Sequence, residues 1–114
     1  MLEPYRVLDL TNGRGELAGF MLAQLGAEVI SIEPVGGSSS RNIAPFRGGE
    51  SSGDSLYFSA FGRGQASVEL DLAGSENDRA QLKELAKGAD VIIESSDVGE
   101  MAAMGLGYDD LAAV

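Results

Sequence analysis

Residues 5–34 of this chain alternate between two kinds of apolar pattern, and that alternation fixes what the opening of the chain can fold into. Residues 5–10 (YRVLDL) form an apolar run of strand length. Thr11, Asn12 and Gly13 break it. Between residues 16 and 25, Leu17, Phe20, Met21 and Leu25 recur at helical spacing, and Gly26 supplies the stop. Residues 28–33 (EVISIE) read as a second strand, closed by Pro34. Strand, helix and strand within about 30 residues make a βαβ unit. Its crossover is right-handed in nearly all cases, and it leaves the two strands parallel.

The rest of the chain continues the alternation. Residues 35–54 turn to Gly, Ser, Arg and Pro without periodicity and read as a long loop, a type that is usually functional or mobile. Residues 55–61 (SLYFSAF) read equally as a short helix or a strand. Residues 67–72 (SVELDL) alternate as a strand does. Residues 76–87 form a helix with Leu82, Leu85 and Ala86 on one face, acids early and Lys83 and Lys87 late, as the macrodipole favours. Residues 90–94 (DVIIE) read as a buried strand, residues 98–104 as a helical turn, and residues 109–114 as a helix that stops before it has a partner. The expected fold is α/β, a parallel sheet of about four strands with flanking helices, incomplete at its C-terminus.

The first turn narrows the function. Gly13-Arg14-Gly15-Glu16-Leu17-Ala18 is a G-x-G-x-x-A sequence, with Glu33 twenty positions after Gly13. A glycine-rich turn feeding a helix N-terminus exposes backbone N–H groups to an anion, while Ala18 lets helix and strand pack. Arg14 is the one basic side chain in the turn; it reaches a phosphate, or pairs with Glu16, or faces water. Glu33 at a strand end is placed to accept from a ribose hydroxyl, which gives an NAD- or FAD-binding module as one reading. A tight turn without a ligand, on a fold fragment, is another. Asp9, near the end of the first strand, reads best as a cap for neighbouring backbone N–H groups. In sheets of this kind ligands bind past the carboxyl ends of the strands, so the site is expected after Leu10, Glu33 and Glu94.

Composition removes several classes. At 114 residues the chain has room for one small domain. Its 18 acidic and 8 basic residues leave a net charge of −10, which argues against nucleic acid and anionic membrane surfaces. It has no Cys and no His, so disulfides, thiolate chemistry, the usual general base and the commonest metal ligand are all absent. No apolar run approaches the roughly 20 residues of a membrane span. The opening Met1-Leu2-Glu3-Pro4 lacks the features of a signal peptide, so a cytoplasmic address is the expectation.

Several segments together resemble the N-terminal part of the family III CoA-transferases, the group of formyl-CoA transferase, carnitine-CoA transferase and α-methylacyl-CoA racemase. They are RVLDLT (6–11), LAQLGAEVISIEP (22–34), SLYFSAFGRGQASVELDL (55–72), GADVIIES (88–95) and MGLGYDDLAAV (104–114). The resemblance implies a Rossmann-like domain and coenzyme A, as a CoA thioester, in preference to NAD. Carried over by position, the implied CoA contacts fall on Gly13, Arg14 and Gly15 in the first loop, on Leu70, Asp71 and Leu72 after the third strand, and on Ser95 and Ser96 after the fourth.

The chain departs from the family pattern at definite places. The turn GRGELAG (13–19) replaces an Ala-Gly-Pro and is one residue shorter. Gln65-Ala66 stand where many members have Lys-Arg, Ala73 where a Lys is often seen, and Ser95-Ser96 where Asn-Phe is usual. The changes at 65–66, 73 and 95–96 each remove a charge or a ring that could hold CoA; Arg41, Arg47 and Arg63 are candidates to compensate, since the 3′-phosphate wants guanidinium partners, or they belong to a solvated loop. The nucleophile of the family is an Asp that forms covalent acyl intermediates, and the resemblance implies that it falls beyond residue 114. Asp109 and Asp110 do not match it and read as first-turn acids of a helix. The expectation is therefore a chain with no catalytic residue and no metal site. The family forms interlocked homodimers; a piece of this length has no ring to thread and is expected to be a monomer or a simple dimer.

Overall fold

A computed structural model of the chain describes residues 1–49 and 53–114. The part of the expected loop at residues 50–52 lies outside them. Strand β1 (Arg6–Leu10) leads through the glycine turn into α1 (Glu16–Gln24), then β2 (Glu28–Glu33). After the loop come α2 (Leu56–Phe61), β3 (Ala66–Glu69), α3 (Glu76–Ala86), β4 (Val91–Glu94), α4 (Glu100–Ala103) and α5 (Tyr108–Ala112). The sheet is four-stranded, ordered β3-β2-β1-β4, with every pairing parallel. The order reverses between β1 and β4, where consecutive crossovers place helices on opposite faces.

Each strand alternates, so the faces differ. One carries Leu8 and Ile32, which pack with Leu70 just past β3, with Leu82 of α3 and with Leu106 into the main core. Leu8 and Leu82 are fully buried, and each such side chain contributes about 2 kcal/mol by leaving water. The other carries Val7 and Val29, packed with Ala27 and, from α1, Leu22 and Ala23. Further along that second face the strands present Asp9, Ser31 and Ser67, paired in register across β1, β2 and β3.

Local signals explain the elements the pattern left open. Residues 55–61 are helical because Ser55 caps them: its Oγ accepts from the Phe58 amide at 3.1 Å. The third strand ends at Glu69 rather than Leu72. Leu70 still donates its amide to the Glu33 carbonyl, but the Asp71 amide turns away to the Asp78 carboxylate at 2.7 Å. Asp71 Oδ1 then accepts from the Gly74 amide, which closes the turn into α3. Among the described residues of this loop the chain makes 3-10 turns at Ser39–Asn42 and Arg47–Gly49, and an antiparallel bridge joins Phe46 to Ser55.

Candidate functional site

The carboxyl ends of the strands converge as expected. Gly13 and Gly15 sit at φ 76° and 89°, the left-handed region that favours glycine, and swing the chain from β1 into α1. The turn is tied to the segment after β4. Arg14 donates to the Ser95 carbonyl through Nε (3.1 Å) and Nη2 (2.9 Å), and Nη2 also meets Asp97 Oδ1 at 2.9 Å. The Asn12 amide donates to Ser95 Oγ at 3.0 Å. Arg14 therefore pairs with Asp97, not Glu16; Glu16 instead accepts the Gly13 amide at 3.1 Å.

Beside this corner, on the α3–α4 face, lies a cavity of about 220 Å³. Leu70, Asp71, Leu72 and Ser96 line it, together with Asn12, Val35, Met101 and Met104. Four positions singled out from the sequence thus share one cavity. Gly13, Arg14, Gly15 and Ser95 form the adjoining corner and are not among the lining residues. The lining mixes apolar side chains with Asn12, Ser96 and the carboxylates of Glu33, Asp71 and Glu100. Met101 in the lining and Arg79 beside it are not singled out from the sequence. Met101 and Met104 come from a short helix, and Arg79 on α3 donates to the carbonyls of Leu72 (2.8 Å) and Ala73 (3.4 Å). The only available signal for Arg79 is its place one turn inside a helix that starts beside the third strand.

Glu33 is not free to hold a ribose. Its carboxylate accepts from Arg41 Nε and Nη2, each at 2.7 Å, from Ser67 Oγ at 2.6 Å and from the Ser38 amide at 2.7 Å. Only 3% of the residue is exposed. The Arg41 guanidinium holds the Glu33 carboxyl down at about 2 against the opposing effect of burial, with Ser67 and the Ser38 amide assisting. The dinucleotide reading loses its acceptor here, and Arg41 is spent on Glu33 and stacked 4.0 Å from the centre of the Phe58 ring. Arg63 lies over Phe20. Arg47 stands in its 3-10 turn next to the undescribed residues.

The remaining candidates fall into structural roles. Asp9 Oδ1 accepts from the Thr11 amide (2.9 Å) and hydroxyl (2.6 Å), the local cap expected of it. Burial pushes the Asp9 carboxyl above the usual range, the Thr11 bonds work against this, and nearby Glu16 adds to the rise. Gln65 donates to the Phe61 carbonyl. Asp109 and Asp110 lie in the first turn of α5, where Asp110 accepts the Gly107 amide at 3.0 Å. Among the described residues no group of three or more acidic, His or Cys side chains is placed to hold a metal ion, and no helix is long and apolar enough to cross a membrane.

Comparison with known proteins gives this corner its context. The family model described as CoA-transferase family III matches residues 2–114. The chain belongs to CoA-transferase family III. It is 43% identical over 111 residues to a probable fatty acyl-CoA transferase of Mycobacterium tuberculosis, covering 96% of this chain and 28% of that protein. A succinyl-CoA:mesaconate CoA-transferase of Haloarcula hispanica is 38% identical over 112 residues, again 96% of this chain and 28% of that one. The crystal structure of the mycobacterial protein superposes with a TM-score of 0.85 at 40% identity, over 99% of this chain and 30% of that chain. A CAIB/BAIF family protein from Brucella suis gives 0.86 at 33% identity, over 98% and 30%. The chain thus corresponds to the N-terminal portion of a family III CoA-transferase and spans under a third of the length of these relatives. The nucleotide-binding alternative is not favoured.

Proposed function

We propose that residues 1–114 act as one Rossmann-like unit that binds the nucleotide end of a CoA thioester for acyl-CoA:carboxylate CoA transfer. The observation that carries this is the cavity past the strand ends, which gathers Asn12, Leu70, Asp71, Leu72 and Ser96 beside the glycine turn. Leu70, Leu72, Met101 and Met104 offer the adenine a dry wall, and Asn12, Asp71 and Ser96 offer the ribose its polar partners. Arg79, held against the Leu72 and Ala73 carbonyls, is a cation beside the place where family members often carry Lys. Gly13, Arg14, Gly15 and Ser95 shape the exit along which the diphosphate runs, close to the N-terminus of α1. The covalent chemistry belongs to a carboxylate outside these residues, so the chain by itself transfers no acyl group.

The decisive test is calorimetric titration of the chain with CoA and, separately, with NAD. Saturable binding of CoA in preference to NAD supports the reading. Equal binding of both, or CoA-dependent acyl transfer by this chain alone, contradicts it.

A further inference from the structure

A CoA thioester carries its phosphate charge in two places, a diphosphate on the 5′-oxygen of the ribose and a monoester phosphate on the 3′-oxygen. On the reading above, the diphosphate leaves the cavity past the strand ends by way of Gly13, Arg14 and Gly15. The 3′-phosphate is fixed to the same sugar as the adenine, so a nucleoside seated in the cavity brings it against the cavity wall. A dianion there wants guanidinium or ammonium donors.

The wall offers none. The chain has eight basic residues, all of them among the described ones, and not one lines this cavity. Arg41 is paired with Glu33, and Arg14 is tied to the Ser95 carbonyl and Asp97. Arg63 lies over Phe20 of α1, on the other face of the sheet. Arg79 gives its Nη1 to the carbonyls of Leu72 and Ala73, and Arg47 sits in a 3-10 turn whose amide donates to the Asp54 carbonyl. Arg6 opens β1, and Lys83 and Lys87 close α3, so all three lie towards the amino ends of the strands. At position 73, where the family often carries Lys, the lining residue is Ala.

What the wall does carry is acid. Arg41 neutralises Glu33, but Asp71 and Glu100 form no ion pair among the described residues. Asp71 Oδ1 accepts the Gly74 amide and Glu100 Oε2 accepts the Asp97 amide, which fixes both carboxylates in place without neutralising them.

We propose that this cavity rejects the 3′-phosphate and selects an adenosine 5′-diphosphate thioester or thiol that lacks it, so that 3′-dephospho-CoA is preferred over CoA. Asp71 and Glu100 set the preference, and Ala73 withholds the cation that would reverse it. The proposal rests on the CoA-binding reading above and adds to it which nucleotide the site takes.

The test is calorimetric titration of the folded chain with CoA and with 3′-dephospho-CoA, each at low and at high salt. Dephospho-CoA is expected to bind about fivefold more tightly at low salt, the scale of one like-charge contact in water. The gap should close as salt rises, because the repulsion is screened. Glu100→Gln, which keeps the acceptor for the Asp97 amide, should narrow the gap by tightening CoA, and Ala73→Lys should reverse the order. CoA binding as tightly as dephospho-CoA or more tightly at low salt would overturn the preference while the CoA-binding reading stands. So would a gap that Glu100→Gln and Ala73→Lys both leave unchanged. No saturable binding of either nucleotide would overturn both.

Discussion

Arg41 grips Glu33 with two parallel N–H donors, both at 2.7 Å, and so pins the loop after β2 to the end of the strand it leaves. The acid is buried while the guanidinium is half exposed, so removing Arg41 strands a charge in the interior. Arg41→Ala should cost about 3 kcal/mol, the usual penalty for breaking one side of a buried pair. Glu33→Gln should cost less, because the Ser67 and Ser38 bonds can persist. Denaturant melts of the two variants check the order.

The same pair sets a pH dependence. Glu33 is lowered from 4.5 to about 2, so its stabilisation is fully present above 4.5 and is lost as pH falls towards 2. At about 1.36 kcal/mol per unit the loss amounts to roughly 3 kcal/mol. Asp9 has the opposite sign. Its raised carboxyl contributes stability below its unfolded value of 3.8, and that contribution fades as pH rises through the folded value. Thermal melts across pH should show acid destabilisation that Glu33→Gln removes. They should also show a gain of Asp9→Asn over the parent that grows with pH.

Gly19 looks replaceable from sequence, since Ala is the better helix former. The structure says otherwise: its Cβ would meet Asp9 Oδ2 at 1.9 Å and the carboxyl carbon at 2.9 Å. Gly19→Ala should destabilise by about 1–3 kcal/mol, as overpacking does. Combining it with Asp9→Ala should recover much of the loss, measured as a double-mutant cycle.

The pattern of apolar residues located the four strands and the helices α1 and α3, because packing in this fold follows local periodicity. Residues 28–33 have the bounds read from the sequence, and α3 differs by one residue at its end. The third strand was over-read because Leu70 and Leu72 keep the alternation after the backbone has turned towards Asp78. Residues 55–61 were ambiguous in periodicity and were decided by the Ser55 cap. Leu70, Asp71, Leu72 and Ser96, singled out through the family resemblance, line one cavity past the strand ends. Glu33 reads from the sequence as an acceptor for a ribose or as a plain strand end; its buried pairing was not legible, since its partners Arg41 and Ser67 lie 8 and 34 positions away and no local pattern announces them. The polar row under α1 and α2 was equally invisible, since it appears only once three strands are in register.

Ala73 offers a gain-of-function prediction. The position lines the cavity past the strand ends and lacks the cation often found there in the family. Ala73→Lys should tighten CoA binding several-fold through a phosphate contact, with the effect shrinking as salt rises. Arg14→Ala should weaken it several-fold, with stability changed by under about 1 kcal/mol because the Arg14–Asp97 pair is exposed.

Amide shift mapping with CoA tests the account at its centre. Addition of CoA to the folded chain should move Asn12, Leu70, Asp71, Leu72 and Ser96 in a saturable way and leave Ser31 and Ser67 on the opposite face unmoved. A folded chain whose amides at those five positions stay still while CoA reaches millimolar concentration would contradict it.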